Sequence, residues 1–165
     1  MDTVLIDKLI EVLNKEMNVY EGILKLSRQK TDVIIAGKVS ELEGITRAEQ
    51  SVIVTLGKLE EEREELVEQV AAQLGVKASE VTLSKLIKLL PQEQAAKLKE
   101  CHNALPKVFS DIRDANGVNS KLIRNSLDYI DFSINVLTNS GSTGNYGNSG
   151  QSDDPKKKHF FDLKL

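Results

Sequence analysis

The sequence predicts an all-α fold, with long antiparallel helices forming an elongated coiled-coil-like bundle, a short connecting helix and a flexible C-terminal tail. Three observations carry this expectation. Proline occurs three times in 165 residues and aromatics make up 4%, in a chain rich in Leu, Ile, Glu and Lys, a background that favours helix over sheet. Apolar residues recur at three- and four-residue spacing along most of the chain, the period of a helix with one buried face. After Asn139 the composition changes abruptly to GSTGNYGNSGQSDDPKKK, which has nothing to bury. The expected organisation is one helical domain over residues 1–139 and a Gly/Ser/Asn-rich tail over 140–165 that ends in the short hydrophobic motif HFFDLKL.

The first helix is expected from Thr3 to Ile35. Ile6, Leu9, Leu13, Met17, Tyr20 and Leu24 mark its apolar face, and Gly37 supplies the break. Ser40 and Glu43 then read as a capping box for the second helix. Along that helix the spacing approaches a heptad, in Leu42, Ile45, Glu49, Val52, Leu56, Leu59, Arg63, Leu66 and Val70. A period of 3.5 held this long indicates coiled-coil-like packing on an antiparallel neighbour. Glu49 and Arg63 interrupt the seam, where they either fix register or snorkel. Gly75 ends the helix.

Thr82 is the expected N-cap of a short helix, LSKLIKLLP. Pro91 then suits the first turn of a long last helix, where its missing N–H costs little. Leu98, Cys101, Leu105, Val108, Ile112 and Ala115 form the seam of that helix, with Leu122, Tyr129 and Val136 expected to continue it. Pro106 lies inside the run and implies a kink or a restart.

Nothing in the sequence has the form of an active site. Cys101 and His102 are neighbours, so on a helix they point about 100° apart and cannot pair as nucleophile and base. His159 lies in the tail. Two separated histidines and one cysteine give no zinc-site spacing, and no phosphate-binding or nucleophile-elbow motif occurs. LEEEREELVE reads as a solvated face with Glu–Arg pairs, against the rival of a metal or acid–base site. No catalytic residue, cofactor or metal is therefore expected. The net charge of -3 argues against nucleic acid. The lone cysteine excludes an internal disulfide. No apolar run approaches the ~20 residues of a membrane span, and the N-terminus has acidic residues where a signal peptide is basic. A soluble, cytoplasmic protein without membrane insertion is expected.

The stretch from Asn119 to Leu137 is the most informative. Leu122, Tyr129, Phe132 and Val136 form one apolar stripe, and Ile123, Leu127, Ile130, Ile134 and Leu137 form a second. Together they cover roughly 220° of the helix, about twice what a surface helix needs to bury. One stripe is expected to pack within the chain. The second is either core, covered by the first helix and the short helix, or an exposed groove for an amphipathic partner helix.

Several stretches, in this order and spacing, resemble the FlgN family of cytoplasmic export chaperones for hook-associated, hook–filament junction proteins. They are LIEVLNKEMNVYEGILKLSRQKTDVIIAGKVSELEGITRAEQ with its L-x-x-I-x-x-x-E entry to the second helix, then LGKLEEEREELVEQVAAQLG, then NGVNSKLIRNSLDYIDFSINVL with Asn116 and Asn119 before a leucine-rich helix. The resemblance implies a helical chaperone without catalytic activity. Such a protein binds the C-terminal segments of hook–filament junction subunits, prevents their premature assembly and delivers them to the flagellar type III export gate and its ATPase complex. The family's client-binding helix maps here to Asn119, Leu122, Ile123, Ser126, Leu127, Tyr129, Ile130, Ile134 and Leu137. Asn119, Ser126 and Ser133 recur every seven positions and would let a client helix approach closely. Phe160, Phe161 and Leu163 of the tail are candidates to dock on that groove, to contact the export machinery, or to do neither. The rival reading is a self-associating structural coiled coil without a client.

Overall fold

The computed structural model describes residues 2–140, all of which fall in helices or the short turns between them. Helix α1 spans Thr3–Ile35. Its first turn is capped by Asp2, whose carboxylate accepts from the Val4 N–H at 3.0 Å. Gly37, at φ 67°, turns the chain over, and α2 follows as Val39–Leu74. The expected capping box is not formed. The helix starts before Ser40, its N-cap is Lys38 with no side-chain cap bond, and Lys38 Nζ instead lies 2.9 Å from Glu41. Gly75 closes α2 in the left-handed conformation, φ 67°.

A 3₁₀ turn over Ala78–Glu80 leads to α3, Leu83–Leu89. The cap at Thr82 is as expected, its hydroxyl accepting from the Lys85 N–H at 3.3 Å. Pro91 stands one residue before α4, Gln92–Ser140. Its carbonyl accepts the Ala95 N–H at 2.9 Å, so the absent proline donor leaves no gap. The last helix passes through Pro106 without restarting.

Residues up to Leu127 form one compact unit, and Asp128 begins a second. In the first unit α1 and α2 make an antiparallel hairpin. The two seam breaks on α2 are where α1 pairs with it electrostatically: Arg63 Nε donates to Glu16 at 2.9 Å and Lys30 Nζ to Glu49 at 2.8 Å. Charged residues at seam positions thus fix register here. The other seam residues of α2 are all buried or half-buried.

α4 runs parallel to α1 with an offset of 87 to 89 positions, through Asp7–Gln94, Asn14–Cys101, Ser27–Asn116 and Thr31–Asn119. Tyr20 and Phe109 meet edge to face at 4.7 Å on the same line. The core gathers at one end of this unit, where Ile6, Leu9 and Leu13 of α1 pack with Leu66 and Val70 of α2, Leu86 of α3 and Leu98 and Cys101 of α4. Each fully buried leucine or isoleucine there contributes about 1.5–3 kcal/mol.

Candidate functional site

The offset between α1 and α4 decides what the far end of the first unit can cover. It places Ile35, the last residue of α1, roughly level with Ile123. The hairpin turns over at that level, so Leu127 has no residue of α1 beside it.

Asn119 lies just below this point. It is 3% exposed. Its Nδ2 donates to the Ser27 carbonyl at 2.8 Å, and its Oδ1 accepts from the Thr31 hydroxyl at 2.6 Å. Ser27 Oγ donates to Asn116 Oδ1 at 3.1 Å. Asn119 is therefore a clasp between α1 and α4, with both ends of its amide engaged by α1. Leu122 is half-buried, while Ile123, Ser126 and Leu127 are exposed. Ile123 borders an open groove of about 370 Å3 whose other walls include Ile23 and Ile53, with the Lys30–Glu49 ion pair across it.

In the second unit the described segment, 128–140, is helical throughout. Tyr129 is 71% exposed, Phe132 64%, Ile130 51% and Ile134 49%. Val136 and Leu137 are exposed as well. The seam expected to run on through Tyr129 and Val136 is thus not buried. Both apolar stripes face solvent, and only Leu122 of the first is partly covered. Ser126 and Ser133 turn their hydroxyls onto their own helix, to the Leu122 carbonyl at 2.9 Å and the Tyr129 carbonyl at 2.8 Å. This leaves little polar bulk standing off the backbone there.

Two apolar exposures are not legible from the sequence as site residues. Phe132 shares the stripe of Leu122, although its place beside Tyr129 on a helix with too wide an apolar arc is a usable signal. Ile53 of α2 lies off the heptad seam and is exposed beside the groove; an isoleucine at a non-seam position is its signal. Phe160, Phe161 and Leu163 lie outside the described residues. Among the described residues no cluster of His, Cys, Asp and Glu could hold a metal, and no helix is long and apolar enough to cross a membrane.

The geometry is that of a helical scaffold carrying an apolar helix surface and no assembled chemistry among the described residues. A family model described as FlgN protein matches residues 1–154. The chain belongs to the FlgN family. FlgN proteins are flagellar export chaperones, and the family is one of chaperones rather than enzymes. This FlgN chain is also similar to the uncharacterized protein YvyG of Bacillus subtilis (strain 168), with 29% identity over 158 residues, covering 94% of this chain and 96% of that protein. No solved structure matches it. In this FlgN protein the densest run of exposed large apolar residues, Ile123 to Leu137, falls on the C-terminal part of α4, and the buried polar clasp at Asn119 precedes it in the chain.

Proposed function

We propose that this protein binds the C-terminal segments of hook–filament junction proteins through the exposed apolar side chains of the second unit, Tyr129, Ile130, Phe132 and Ile134. The observation that carries the reading is the exposure of four large apolar residues within six positions of one helix. A soluble protein seldom leaves so much apolar surface together without a partner for it. An amphipathic client helix laid on these residues buries its own apolar face, which would otherwise drive premature assembly. Ile123 and Leu127 of the first unit add apolar surface of the same kind.

The client segment is unfolded before export and orders on binding. That ordering cost, with the loss of association entropy, offsets much of the ~25 cal/mol per Å2 gained by burial, so affinity stays moderate and release remains accessible. Binding and release proceed without catalysis. A competing partner at the flagellar export gate, with its ATPase complex, displaces the client.

The test is co-purification of the full-length chain with C-terminal fragments of hook–filament junction proteins, comparing wild type with Ile130→Asp. Wild type is expected to retain a fragment. The variant is expected to keep its helical circular dichroism and lose the fragment. Retention by both proteins would place the client elsewhere. The same exposed residues would serve self-association equally well, so light scattering of the purified protein decides between the two: a tight dimer dissociated by Ile130→Asp would favour the structural coiled coil.

A further inference from the structure

At the end of the first unit away from Asn119, α1, α2, α3 and α4 leave a half-open cleft of about 230 Å3. This is smaller than the ~300–1,000 Å3 of small-molecule pockets, so it suits an inserted side chain better than a cofactor. Its walls are mostly apolar, with Leu13, Val67, Leu83, Leu86 and Leu105 among them.

One carboxylate is set into those walls. Glu16 lines the cleft and is 6% exposed. Arg63 Nε donates to its Oε1 at 2.9 Å, while Oε2 takes no hydrogen bond from any described residue. No buried side-chain oxygen or nitrogen lacks a partner among the described residues. It follows that Oε2 keeps some access to solvent, in a residue that lines the cleft.

The charge around the cleft does not balance. Arg63 is shared between Glu16 and Glu60, with its Nη2 3.5 Å from the Glu60 carboxylate, so one cation serves two anions. Tyr20, another wall residue, reports the same field. Its phenol is pushed up first by burial and then by Glu16 and Glu60, with Arg63 opposing. An apolar cavity with a surplus of negative charge fits an apolar group that arrives with a cation beside it.

We propose that this cleft is a docking site for a segment of a partner protein in which a leucine- or phenylalanine-sized side chain lies next to a lysine or arginine. The apolar side chain fills the space among Leu13, Val67 and Leu105. The neighbouring cation pairs with Glu16 Oε2 and Glu60. The site is separate from the apolar residues assigned to the client, so its success or failure is independent of that reading.

The test measures fluorescence anisotropy of labelled peptides against the full-length protein. The probe is KKLFKK, with EELFEE and KKAAKK as controls. Saturable binding is expected for KKLFKK alone. Glu16→Gln, which keeps the shape of the side chain and removes its charge, is expected to weaken binding about tenfold. Glu60 is exposed beside Arg63, and Glu60→Lys is expected to keep its helical circular dichroism and to weaken binding at least as much. Glu41→Lys makes the same charge change at the other end of α2 and is expected to leave affinity unchanged. Equal loss from Glu41→Lys and Glu60→Lys would reduce the effect to net charge and overturn the proposal, as would absence of binding or equal binding of KKAAKK. The chain's own KKKHFF sequence, tested as a peptide, would overturn the partner reading if it outcompeted the probe, because the occupant would then be a segment of this chain.

Discussion

Asn119, Glu16 and Cys101 each combine polarity with burial, and each makes a measurable prediction. Asn119 joins Ser27 and Thr31 of α1 to α4. Asn119→Ala removes both bonds from a side chain that is 3% exposed, and is expected to cost about 1–3 kcal/mol, read as a lower urea midpoint. Glu16 is the pH-sensitive member. Burial pushes its carboxyl above the ordinary range, with the hydrogen bond and charge of Arg63 pulling it back. The folded chain therefore holds this proton more tightly than the unfolded chain does. The resulting stabilisation is fully present below the unfolded value, about 4.3 for a glutamate, and is lost as pH rises through the higher folded value. The melting temperature of wild type relative to Glu16→Gln is thus expected to rise on acidification across that window, and a flat difference would contradict it. Cys101 is buried beside Asn14, with its Sγ 3.1 Å from Oδ1, and burial, then Glu100, pushes its thiol up. Alkylation by iodoacetamide at mildly alkaline pH is expected to be much slower than for the urea-unfolded chain.

At the scale of elements, α2 offers a paired prediction from two glycines. Gly75 holds φ 67° at the end of the helix, with open space where a methyl group would stand. Gly75→Ala therefore meets only backbone strain, and is expected to cost about 1–2 kcal/mol. Gly57 lies within the same helix, also with nothing near its missing side chain. Gly57→Ala is expected to stabilise by about 0.8–1 kcal/mol. Opposite shifts in melting temperature would confirm that the helix boundary, and not packing, distinguishes the two positions. This boundary was legible because a left-handed cap is a local requirement. The N-terminus of α2 was not: Ser40 and Glu43 had the right spacing, but the turn after Gly37 admits the helix two residues earlier, at Lys38.

For the whole molecule the decisive experiment is a pair of measurements on Ile130→Asp, client retention and oligomeric state. A groove for clients predicts a folded variant that has lost its fragment. An isothermal titration with divalent metals, expected to show no saturable heat, addresses the remaining chemical alternative at the Glu-rich face of α2. The apolar excess of α4 was visible in the sequence as an arc too wide for one partner. Which residues it left uncovered was not, because Tyr129 and Leu122 share one stripe and differ only in what lies beside them.

The sequence by itself determined the helices, their breaks at Gly37 and Gly75, the cap at Thr82 and the heptad face of α2. All of these follow from backbone preferences and side-chain spacing within a few residues. Only the tertiary structure decided that Arg63 reaches Glu16 and that Asn119 turns inward to Ser27. It also decided that a cleft opens between Leu13 and Leu105. These outcomes depend on the offset between α1 and α4, which is set jointly by contacts 87 to 92 positions apart. A local period records which face of a helix is apolar. It carries no measure of how far the neighbouring helix extends, and that length decides whether the face is core or surface.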